Sequence, residues 1–190
     1  MAFIDYAIII LLVSAFGAQV FLRSFCARHI RKFFYASVLV IFSIVSYWSY
    51  LQYKIWEGNP ISKFLLPPYQ PITYFVGYVG SRLFAPWLLA LAAAMLVAYA
   101  ARYLNRRFEN RFFEKEEIQI IGMGIFLTGW PGFLFYIPLV LIVGLLSSSF
   151  YFLFFRGRAP LYFLWLPLAI LVILTKNWLI PQEILRAFIL

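Results

Sequence analysis

The stretch IQIIGMGIFLTGWPGFLFYIPLVLIVGLLSSSFYFLFF, residues 118–155, carries no charged side chain. A hydrocarbon core about 30 Å thick is crossed by ~20 apolar residues, so this run is too long for one ordinary span. Trp130-Pro131-Gly132 divides it, because proline lacks the backbone donor and clashes with the turn before it. The run therefore reads as a short helix over 118–130 followed by a longer one over 133–155.

The same pattern extends in both directions. Further apolar spans are expected over 3–22, 33–53, 83–101 and 160–175, with Pro86 tolerable in the first turn of the third. The chain is 65% hydrophobic and 12% charged, with a mean hydropathy of +0.89. A soluble core of this size cannot hide so much apolar surface, whereas lipid can solvate it. The fold expected is all-α: a polytopic integral membrane bundle of about six transmembrane helices, forming a single domain over 1–190. Between the second and third spans, 54–82 holds Pro60, Pro67, Pro68 and Pro71, which forbid one regular helix. It is expected to be a proline-rich outer or re-entrant loop, lying against the bundle because irregular backbone cannot face lipid. The segment 3–22 lacks a basic leader and is expected to be a retained first helix; 176–190 reads as an amphipathic tail.

Orientation follows from the cations. If the N-terminus is outside, the inner connections hold Arg23, Arg28, Arg31 and Lys32, then Arg102, Arg106, Arg107, Arg111 and Lys115, then Arg156 and Arg158. Only Lys54, Lys63, Arg82, Lys176 and Arg186 fall outside, so the positive-inside rule predicts both termini out. Trp48, Trp56, Trp87, Trp130 and Trp178 then gather near the outer boundary, as an aromatic belt does, and only Trp165 departs.

Sixteen Lys and Arg against seven Asp and Glu give a net charge of +9. In a soluble protein that balance points to nucleic acid. Here the cations sit between apolar runs, which assigns them to topology and to a bilayer with anionic headgroups, with no nucleic acid expected. The single cysteine, Cys26, excludes an internal disulfide, and the single histidine, His29, argues against a zinc site. No metal and no cofactor are expected.

Ionisable groups within the spans are few. Asp5 is the only acid inside one, within about a turn of its outer end. Glu116 and Glu117 stand at the inner mouth of the fourth helix, where acids offset the macrodipole. The loop before them, 102–117, carries Arg102, Arg106, Arg107 and Arg111, candidate contacts for lipid headgroups or for the loop's own acids. Ala90, Ala94 and Ala98 repeat every fourth residue on the third helix, and Gly122 and Gly124 leave the fourth small. That combination predicts close packing of the third helix on the fourth.

The region 102–175 resembles the C-terminal half of the type IV prepilin peptidases and preflagellin peptidases, membrane aspartyl proteases with a six-helix core. Glu116-Glu117-Ile118-Gln119-Ile120-Ile121 stands where the family has Gly-Asp-Val-Lys-Leu-Leu, and Gly129-Trp130 follows at a similar distance. Arg156 to Arg158, Pro160, Phe163 and Pro167 are similar to the family's basic turn and last span. Residues 24–32 match the layout of the segment bearing the first catalytic aspartate, but Ser24 occupies the aspartate's place. An aspartyl protease needs two carboxylates sharing a proton. With Ser24 and Glu117 only one carboxylate remains at the two degenerate positions, and the motif's glycines are replaced by Lys115 and Glu116. The resemblance therefore implies a pseudoenzyme, a non-catalytic prepilin-peptidase-like protein acting as a binding or assembly partner, with another membrane protein as a candidate partner, in a bacterial or archaeal cytoplasmic (inner) membrane. Two alternatives stand beside it. One is a small transporter or channel component, although no Arg, Lys or Glu within a span lines a pathway. The other is an enzyme acting on a phospholipid headgroup through 102–117.

Overall fold

No proline occurs before Pro60, and up to Gly58 the chain is helical with one break, at Leu22 (φ −130°, ψ 50°). The computed structural model describes residues 2–109, 113–114, 116–155 and 161–179, and every regular element among them is a helix. Helix α1 is Ala2–Phe21 and α2 is Arg23–Gly58. The basic segment 23–32, expected to connect two spans, is instead the first turns of α2. It contains neither Gly nor Pro, and Arg and Lys propagate helix well. The 36 residues of α2 measure about 54 Å, well beyond a hydrocarbon core of about 30 Å.

The proline-rich stretch is more regular than its composition suggests. Asn59 accepts the backbone N–H groups of Ile61 (2.9 Å) and Ser62 (3.1 Å), turning the chain into a 3-10 turn at Ser62–Leu65. All four prolines lie before Ile72, so nothing prevents helix after them. Helix α3, Ile72–Val79, passes through a π-turn at Gly80–Phe84 into α4, Ala85–Arg107. Leu66, Phe75 and Val79 close on Trp56 of α2 in a small second core, with Trp56 and Phe75 edge to face at 5.4 Å.

Helix α5, Glu117–Thr128, is the centre of the molecule. All but one of its residues are buried, and α1, α2, α4, α6 (Gly132–Phe155) and α7 (Trp165–Leu179) all pack against it. At 12 residues it is about 18 Å long and too short to cross a membrane unaided. Gly129 ends it with φ +64°, a backbone that side-chain-bearing residues rarely adopt, and a Cβ there would come within 3.2 Å of the Trp87 ring.

Among the described residues, four helical segments are long and apolar enough to cross a membrane: Phe3–Phe21, Arg28–Gly58, Ile72–Arg107 and Gly132–Phe154. Glu117–Thr128 and Trp165–Thr175 are shorter apolar helices. The outward faces carry large apolar side chains such as Ile10, Leu39, Leu96 and Leu145, which suits a membrane-embedded bundle. The starts of α2, α5 and α7 and the ends of α1 and α4 gather at one end, called the basic end below.

Candidate functional site

The loop leaving α4 is fastened from three directions. Asn105, buried on α4, donates from Nδ2 to the Phe113 carbonyl (2.6 Å) and accepts the Phe113 N–H at Oδ1 (2.9 Å). Glu117, in the first turn of α5, accepts the Glu114 N–H at Oε2 (3.0 Å) and the Trp165 indole N–H at Oε1 (2.8 Å). Both carboxylate oxygens are thus engaged, and Phe113 lies against the Trp165 ring (6.3 Å between centroids). Burial pushes the Glu117 carboxyl above its usual range; the two donated hydrogen bonds pull it down, and Glu114 and Glu116 push it up further.

A second group of polar side chains lies beside it. Gln19 of α1 is fully buried and donates to the Tyr162 carbonyl at 2.6 Å. The Tyr162 side chain lies near the Cys26 thiol, and the Arg23 guanidinium stands 5.4 Å over its ring. Burial raises the Cys26 thiol above its usual range. Gln19 Oε1 and Tyr162 Oη are buried with no hydrogen-bond partner among the described residues. Arg23 reaches Glu114 at 3.5 Å, an exposed pair of small energetic weight.

Between α2 and α4 the basic end opens into a cavity of about 420 Å3. Arg31 and Tyr35 line it from α2, Arg102, Asn105 and Arg106 from α4, and Ile118 and Gln119 from α5. Among the described residues, no carboxylate lines it. The Arg31 guanidinium lies 5.8 Å from the Tyr35 ring centroid.

The sequence candidates distribute unevenly over these features. Glu117 is buried, whereas Ser24 is exposed in the first turn of α2. Of the four arginines expected in one headgroup site, Arg102 and Arg106 line the cavity. Arg107 is exposed and does not, and Arg111 lies outside the described residues, as do Lys115, Arg156, Arg158, Pro160 and the tail beyond 179. Ala90 and Ala94 are buried, and a Cβ at Gly122 would meet the Ala94 carbonyl at 3.7 Å and the Ala98 Cβ at 3.9 Å. Gly124 faces the other way, against the Tyr136 ring of α6, since two residues turn a helix by about 200°.

From the sequence, Arg31 and Trp165 are topology markers, Gln119 is part of a motif comparison, and Asn105 and Gln19 carry no expectation. An uncharged amide inside an apolar run, as at Gln19, is the signal that marks such a position. Among the described residues, no group of three or more His, Cys, Asp or Glu side chains is placed to hold a metal ion. In comparisons with known proteins, no protein-family model, no curated protein and no solved structure matches the chain.

Proposed function

We propose that the chain is a non-catalytic multi-pass membrane protein with the layout of the prepilin peptidases, acting as a binding or assembly partner in a cytoplasmic membrane. In this reading six helical rods cross or enter the bilayer and both termini face out. The basic end, with Arg28, Arg31, Arg102, Arg106 and Arg107, then lies at the cytoplasmic leaflet.

The observation that supports it is the state of Glu117. A carboxylate serving an aspartyl protease must share a proton with a second carboxyl and keep an oxygen free for water. Glu117 instead holds a backbone N–H and an indole N–H. The residue at the other degenerate position, Ser24, has no carboxyl to offer. A family position that served chemistry is here a structural fastening.

The test is direct. Vesicles containing the full chain are incubated with a prepilin-type substrate bearing a basic leader and an apolar helix. No cleavage is expected. Cleavage by the wild type that disappears in Glu117→Gln would overturn the reading.

A further inference from the structure

We propose that the cleft between α2 and α4 binds a phosphate group, carried either by an anionic phospholipid headgroup or by a soluble phosphate ester. This names a ligand class for the binding role above, and it rests on that reading only for the leaflet from which a lipid would come. Arg31 from α2 and Arg102 and Arg106 from α4 line one cavity of about 420 Å3. Arg102 and Arg106 stand four residues apart and so share one face of α4. With no carboxylate among the described lining residues, three like charges meet in one concavity, and an anion relieves their repulsion. The salt bridges among the described residues, Arg23–Glu114 and Lys54–Glu57, involve none of the three.

Chemistry and shape narrow the anion. A guanidinium presents a planar fork of donors that matches the oxygens of phosphate two at a time. Gln119 adds an amide at the back wall, and Ile118 and Tyr35 supply apolar lining. The volume falls in the range of about 300–1,000 Å3 typical of clefts for small organic ligands, more than a bare ion fills. The cleft is also open to the surface. Helix α2 approaches the Ile72–Arg107 rod at the π-turn, whereas at the basic end the cavity holds the two apart with α5 behind. Among the described residues only α2, α4 and α5 line it, which leaves a headgroup a way in from its own leaflet.

The experiment compares the full chain with Arg106→Gln, Arg106→Lys and Arg107→Gln. Arg107 is the control: it neighbours Arg106 and carries the same charge, but lies outside the cavity. In the first arm, protein from mixed phosphatidylglycerol and phosphatidylcholine vesicles is released into detergent, and retained lipid is counted by native mass spectrometry. Retained phosphatidylglycerol is expected to fall about tenfold in Arg106→Gln and by less than about twofold in Arg107→Gln. Arg106→Lys keeps the charge without the fork and is expected to fall between; it also reports on the site should the Gln variant fail to fold. In the second arm, delipidated protein is titrated with glycerol phosphate and its melting followed. Protection that depends on Arg106, without retained phosphatidylglycerol, supports the site with a soluble source. Equal losses at Arg106 and Arg107 in both arms, or no response to either phosphate probe, overturn the proposal. Because solubilised protein exposes both faces, reversed topology or prepilin cleavage would defeat the reading above without affecting this result.

Discussion

The indole N–H of Trp165 donates to Oε1 of Glu117 at 2.8 Å, joining the heads of α7 and α5 across 48 positions of sequence. The same carboxylate holds the Glu114 N–H, so one side chain fixes the loop, the central helix and the last described helix together. A buried acceptor with two donors is costly to leave half satisfied.

Replacing Trp165 by Phe keeps the ring and removes the donor. Unfolding in detergent should show a loss of about 1–3 kcal/mol, because a buried carboxylate loses a hydrogen bond. An unchanged midpoint would show that the bond contributes nothing to holding α7.

Glu117 also predicts a pH dependence. Its carboxyl titrates above the usual value of 4.5 in the folded chain, chiefly through burial, so the folded state binds the proton more tightly than the unfolded one. The associated stability is fully present below the ordinary carboxylate range and is lost as pH rises through the folded value. Melting of wild type and Glu117→Gln followed from pH 4 upward (roughly the ordinary carboxylate value) should therefore converge or cross as pH increases. Parallel curves would remove Glu117 as the titrating group.

The two glycines of α5 should respond oppositely to alanine. At Gly122 a Cβ meets ordinary contacts at 3.7 and 3.9 Å, and alanine favours helix over glycine by up to about 1 kcal/mol, so Gly122→Ala should be neutral or mildly stabilising. At Gly124 the Cβ collides with the Tyr136 ring, whose Cζ lies 2.9 Å away and whose hydroxyl donates to the Trp165 carbonyl at 3.0 Å. Gly124→Ala should cost about 1–3 kcal/mol. Thermal unfolding of the pair settles the order.

Sidedness is accessible through thiols. Cys26 is 3% exposed, so the native chain gives a quiet background. Ser24→Cys, at an exposed site in the first turn of α2, should react with an impermeant maleimide only from the cytoplasmic side. Gln70→Cys, exposed between the 3-10 turn and α3, should react only from outside. Labelling of both from one side would contradict the proposed topology.

What could be read from the chain depended on whether the cause was local. The break after Thr128 is local: Gly129 takes a positive φ and Pro131 lacks the backbone donor a continuing helix needs, and α5 and α6 divide there. The small face formed by Ala90, Ala94 and Gly122 follows from helical period alone. The same period sets Gly124 opposite Gly122, toward Tyr136, so small size at the two positions serves two different contacts. The helix at Ile72–Val79 was hidden by the prolines just before it, which stop a helix behind them but not one ahead. The cavity was not legible, because Arg31 joins Arg102 and Arg106 only through how α2 and α4 splay around α5. Glu117 was found as a position, but its partner Trp165 depends on where α7 docks.

Helix α5 shows almost no face to lipid, being wrapped by its neighbours along its length. Changes in bilayer thickness act on the surfaces that lipid touches, and here those belong to the long outer rods, which tilt or protrude to adjust. The short inner helix is insulated from that stretching, and with it Ile118 and Gln119 at the back of the arginine cleft. The α5 side of the cleft is thus set by protein packing, while its α2 and α4 walls ride on the rods that lipid touches.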